Sequence, residues 1–254
     1  FSFYEDTFSV YRNLAGFGLS EELQLGFSGG GYAQFPTRKM GSTQDLVITG
    51  LRLVHRARVF GDGLVEAALA SSQRYRFAVS NWTDKTFLLR FRFATSTYRI
   101  GRFVLRSDCV GQRDQTVADP LSLGGDNGLR GYSSQRFLSF GGQRLRSNLE
   151  YRSRPKRWGP IYLGAVLFYD AGALYGGTQN SGYVHSLGIG ARGVMPQSSA
   201  YTYRLDFGVP LDGSGFMVML KGTTMTIETN QAVPMTVQDD SLYSGGGGGL
   251  INQP

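Results

Sequence analysis

Proline, histidine and cysteine are scarce in this chain, which holds 8 Pro, 2 His and 1 Cys in 254 residues. The single Cys109 excludes an intrachain disulfide and a cysteine-cluster metal site, and reads as a small side chain on a strand face. There is no run of about eighteen apolar residues, so no transmembrane helix is available and a β-barrel is the one route left into a membrane. The two histidines, His55 and His185, lie on outward-facing rows, far apart in sequence, with no serine-and-acid pattern beside them. No catalytic residue, metal site or cofactor is expected, and the chain is not read as an enzyme. No signal peptide is recognisable and Phe1 is no initiator, which reads as a processed or partial product.

What is abundant is glycine and aromatic residues: 36 Gly, 17 Phe and 14 Tyr, the composition of many tight turns between aromatic-rich strands. The mean hydropathy of -0.19 suits a transmembrane barrel, in which polar inward residues dilute apolar outward ones. The formal charge of +7 raises nucleic acid as a partner. However, the arginines are spread singly along alternating strands, with no helix-turn-helix, metal finger or stacking motif, so no nucleic acid is expected. An arginine-lined lumen accounts for the same charge, and an anionic lipopolysaccharide surface is another user of it.

Alternation with period two marks the strands. In Gly142 to Ser153, Arg144, Arg146, Asn148, Glu150 and Arg152 point one way and Leu145, Ser147, Leu149 and Tyr151 the other. Ile161 to Tyr175 sets Ile161, Leu163, Ala165, Leu167 and Tyr169 against Asp170, its one charge. Further strands are read over Asp45–Phe60, Leu64–Tyr75, Phe87–Phe93, from Arg102 to Asp108, Tyr183–Val194, Tyr201–Pro210 and around Val218. Two more lie in Phe1–Gly18 and Glu21–Tyr32. Arg90, Arg92, Arg144, Arg146 and Arg204 fall on the polar face. Asn81–Lys85 and Arg154–Pro160 are read as a loop and a turn, with Trp82 and Trp158 as interfacial belt residues.

Between these strands runs a long polar segment, Asp119 to Phe137, containing Leu129-Arg130-Gly131-Tyr132. Its glycines allow sharp turns, so the loop is able to fold back on itself, and an arginine inside such a fold needs a partner.

Gly-Leu-Arg-Gly-Tyr, then Leu-Glu-Tyr-Arg in the next strand and Phe-Tyr-Asp-Ala-Gly in the one after, resembles the outer-membrane assembly and two-partner-secretion translocator superfamily that includes BamA, TamA and FhaC. The resemblance is specific from about Leu123 to Leu211. It implies that the loop tucks into a barrel lumen, that Arg130 is the loop arginine, and that Asp170 and Glu150 on the inner wall are its acidic partners.

The expected fold is therefore all-β: an antiparallel transmembrane β-barrel with an inward-folded loop, spanning residues 1–225, followed by a flexible glycine-rich tail over 226–254. About eleven strands of crossing length are read here, against about sixteen in the resembled family, so N-terminal strands and the family's POTRA domains are expected to be absent, a complete smaller barrel of ten or twelve strands being the alternative. The implied role is assembly of outer-membrane proteins or translocation of a polypeptide, in a bacterial outer membrane. The partners would be lipids and lipopolysaccharide, with a polypeptide client or partner subunits. A passive diffusion porin, or a barrel anchoring an enzyme or surface complex, are the alternatives.

Overall fold

The computed structural model describes residues 1–14, 17, 20–117, 119–125, 127–195, 201–213, 215 and 217–224, with backbone alone at 201 and 219–224. The expected tail at 226–254 and the Phe216 side chain lie outside the described residues. In chain order the strands are β1 (Ser2–Tyr4), β2 (Thr7–Arg12), β3 (Ser20–Gln34), β4 (Leu46–Val59), β5 (Gly63–Arg76), β6 (Asn81–Ala94), β7 (Gly101–Arg113) and β8 (Pro120–Leu123). They continue as β9 (Phe137–Phe140), β10 (Gly142–Ser153), β11 (Lys156–Trp158), β12 (Ile161–Tyr175), β13 (Gly182–Val194), β14 (Tyr201–Pro210) and β15 (Met217–Thr224).

Thirteen of these segments form one large antiparallel sheet, and β8 with β9 makes a separate hairpin. Because β2 prolongs β1 against β3, and β11 prolongs β10 against β12, the sheet amounts to eleven passes up and down the chain. Neighbours in sequence are neighbours in space, as short hairpin connections require. At the β4–β5 turn, Phe60 and Gly61 take successive positive φ values of 44° and 76°, the backbone twist that closes a two-stranded ladder tightly.

The register keeps each row of side chains on one face across the whole sheet. Leu53 faces Leu69, then Leu89, Cys109, Leu145, Ala173 and Tyr183. The adjacent row is Val54, Ala68, Arg90, Asp108, Arg146, Gly172 and Val184. One face is thus a continuous apolar surface and the other carries the charges, since a slip of one residue would swap them. Ile189 on the apolar face is 57 % exposed, while Asp170 on the charged face is 0 % exposed.

The charged face is covered by two inserts. The loop between β7 and β10 packs Leu121, Leu123, Leu129 and Tyr132 against Val54, Ala68, Ala70, Leu88, Val110 and Leu174, joining strands from β4 to β12 in one core. The second insert comes from the opposite end. Beyond Gly26, whose φ is +81°, the β2–β3 hairpin lays Tyr11, Leu14 and Leu23 on Leu64, Ala94 and Val104. Arg102, 0 % exposed, holds the hairpin by donating to the Arg12 carbonyl at 3.1 Å, and also to the carbonyls of Thr95 and Asp62. Arg152 donates to the Leu14 carbonyl, and the Asn13 amide to the Ser153 carbonyl at 3.3 Å.

Three local expectations change. Asn81–Lys85, expected as a loop, is the first part of β6, with Trp82 opposite Tyr75 and their rings 5.3 Å apart. Its Asp84 carboxylate accepts from the amide and hydroxyl of Thr116, in the loop beyond β7, both at 2.7 Å. In the expected turn Arg154–Pro160, Lys156–Trp158 goes on pairing with β12, and the chain reverses only at Gly159-Pro160. Trp158 stays 77 % exposed at that edge. The polar segment Asp119 to Phe137 is not all loop, since its ends pair as the β8–β9 hairpin.

Candidate functional site

The loop reaches its site through a tight turn. The Gly125 amide donates to the Leu129 carbonyl at 2.9 Å, and Gly128 and Gly131 take φ values of 99° and 103°, where a side chain would be strained. This turn buries Leu129 completely and projects Arg130 onto the charged face.

Arg130 is gripped from three strands. Its Nε and Nη2 donate to the two oxygens of Asp170 on β12, at 2.8 and 2.7 Å. Its backbone N–H adds a third bond to the same carboxylate at 3.0 Å. Nη1 donates to Glu150 of β10 at 2.6 Å and stands 3.7 Å from Asp206 of β14. The guanidinium carbon lies 3.7 Å over the centre of the Phe168 ring. A planar fork on a carboxylate with a ring beneath it is a geometry lysine cannot reproduce. Burial alone would lower the Arg130 pKa, but Glu150 and Asp170 outweigh it and hold the guanidinium well above its ordinary value.

Neighbouring groups orient the carboxylates. The Asn148 amide donates to Asp170 at 2.9 Å and to the Gly128 carbonyl at 2.8 Å, tying sheet and loop together. Arg152 takes the second oxygen of Glu150 at 2.7 Å, and Arg192 forks Asp206 at 2.5 and 3.1 Å. The Tyr132 hydroxyl donates to the His185 carbonyl at 3.3 Å, and burial first, then the nearby Asp212, pushes the phenol up to about 12. Tyr132 therefore stays protonated.

Leu129, Arg130, Gly131 and Tyr132 thus meet Asp170 and Glu150 in one place. Of the arginines assigned to the polar face, Arg92 lies 3.5 Å from Glu66, while Arg144 and Arg146 lie 3.6 and 2.6 Å from Asp108. Arg90 stands opposite Asp108 in the β6–β7 ladder. Arg204 is apart from these, opposite Arg192. His185 sits on the apolar face, its Nδ1 2.7 Å from the Tyr169 hydroxyl, and His55 lies against Phe27 with ring centres 4.1 Å apart and the planes tilted by 31°. Cys109 is half-buried on the same face.

The sequence reading did not single out Asp206, Arg152, Arg192, Asn148 or Phe168 as site residues. Parity was the available signal, because Asp206 shares a face with Arg204 two residues before it. The β2–β3 hairpin and its Arg102 clamp gave no such signal, since their partners are distant in sequence.

No family model matches the chain, and neither does any curated protein.

Proposed function

We propose that this chain is part of a transmembrane β-barrel of a bacterial outer membrane, of the BamA/TamA/FhaC kind. It would assist insertion of outer-membrane proteins or translocation of a polypeptide. The observation that carries the proposal is the Arg130 fork on Asp170 with its second contact to Glu150. It joins Leu-Arg-Gly-Tyr, Leu-Glu-Tyr-Arg and Phe-Tyr-Asp-Ala-Gly, the three blocks in which the resemblance resides.

The exposed apolar face supports the membrane part of the reading, because a contiguous surface of Leu, Ile, Phe and Tyr favours hydrocarbon over water. Lipid and lipopolysaccharide would contact that face. The charged face would then line a hydrated lumen, which the resemblance closes with further strands to about sixteen, an even number. In that lumen the Arg130 loop and the β2–β3 hairpin obstruct free passage from opposite ends. An obstructed lumen suits the handling of a polypeptide in steps and opposes steady diffusion of small solutes.

Single-channel recording in planar bilayers tests this. The expected record is small, erratic openings that grow larger and longer in Arg130→Ala. Large, steady, ion-selective conductance in the unmodified protein would favour a passive diffusion porin.

A further inference from the structure

The carboxylates around Arg130 are fully engaged, and an arginine is left over. Asp170 gives both oxygens to Arg130, Glu150 one each to Arg130 and Arg152, and Asp206 both to Arg192. Arg204 forms no hydrogen bond and no ion pair with the described residues, and its Nε is shut off from solvent without an acceptor. Its near charges are Arg192, Arg152, Arg130 and Glu150, so four guanidiniums share three carboxylates once Asp170 and Asp206 are counted. In the ladder Arg204 stands directly opposite Arg192. Like charges facing each other across strands repel, and the repulsion is relieved when an anion sits between them. Arg204 as a residue keeps some exposed surface.

We propose that Arg204 is the centre of an oxyanion-binding site, with Arg192 and Arg152 supplying the surrounding field. The ligand chemistry is that of a phosphate or carboxylate group, whose paired oxygens fit the parallel N–H groups of a guanidinium. The occupant is either free inorganic phosphate or the carboxylate end of a polypeptide. The site needs only the charges of this face, and stands whether or not the protein handles polypeptides.

The test is equilibrium dialysis of the folded protein in a non-ionic detergent, with labelled inorganic phosphate and ionic strength held constant with chloride. One phosphate per chain is expected, with affinity falling about tenfold or more in Arg204→Gln, the loss of a charged hydrogen-bonded contact. Arg204→Lys, which keeps the charge but not the fork, is expected to lose less. No saturable uptake by the unmodified protein, or equal uptake by all three proteins, overturns the site. A short peptide with a free terminal carboxylate, set against its amide, separates the sources. Displacement by the acid alone assigns the site to a polypeptide end; displacement by neither assigns it to free phosphate.

Discussion

Gly131 in the loop and Gly208 on β14 meet backbone to backbone: a Cβ added at Gly208 would lie 2.5 Å from the Gly131 nitrogen. No side chain at either position leaves the loop this close to the sheet. Gly208→Ala is therefore expected to push the loop outwards and cost about 1–3 kcal/mol by overpacking. Gly193→Ala on β13 is the control, because its Cβ would have nothing nearer than Leu163 at 3.4 Å. Denaturant midpoints of both variants decide, and equal midpoints would count against the contact.

Arg130→Ala should cost more, because it takes the guanidinium from both oxygens of the Asp170 carboxylate and leaves Glu150 with Arg152 alone. Removing one partner of such a buried pair costs about 3–5 kcal/mol. Arg130→Lys should recover only part of this, since one ammonium cannot replace a fork with a ring beneath it. Limited proteolysis of the loop reads the effect, with Arg130→Ala cut fastest and the lysine variant in between. A loop equally protected in all three proteins would refute the lock.

The Arg102 clamp makes a separate prediction. Tyr11 and Leu14 are buried by the hairpin, while the side chain of Arg12 is exposed to trypsin on a backbone held by Arg102. Arg102→Ala leaves the Arg12, Thr95 and Asp62 carbonyls without their donor and frees the hairpin by about 2 kcal/mol, roughly a thirtyfold rise in the open population. Cleavage after Arg12 should accelerate by that factor. A rate unchanged by the substitution would mean that Arg102 does not hold the hairpin.

Acid should loosen the contact between Asp62 and Thr97. Asp62 accepts from the Thr97 amide at 2.8 Å and its hydroxyl at 2.6 Å. Burial alone would raise the Asp62 carboxyl, but these bonds and the charge of Arg102 together hold it below its ordinary value. A depressed carboxyl contributes its stability above the unfolded value of about 3.9 and loses it as the pH falls through the folded value. Protection of the Thr97 amide against hydrogen exchange, corrected for the intrinsic rate, should thus fall below about pH 4 and hold above it. Thr97 protection that ignores this window would exclude the carboxylate as its cause.

Much of the sheet was legible because alternation is a local property. Gly142–Ser153, Ile161–Tyr175 and Tyr201–Pro210 read as strands from periodicity and form strands with those limits. Asn81–Lys85 reads as a loop because its residues are polar, yet their partners Tyr75 and Thr116 come from the neighbouring strand and the loop beyond β7. The β8–β9 hairpin was missed for a related reason: four residues at each end of a polar loop are too few to show a period.

The amino-acid sequence by itself determined which side chains share a face, because a period of two assigns Arg204 and Asp206 to one side and Tyr203, Leu205 and Phe207 to the other. Tertiary structure decided who pairs with whom. Arg102 finds Arg12 across 90 residues and Arg152 finds Leu14 across 138, and no local pattern encodes such distances. The same holds among the charges: three carboxylates are shared out by strand order and register. Parity shows that Arg204 is on that face, but only the assembled sheet leaves it without a hydrogen-bond or ion-pair partner among the described residues.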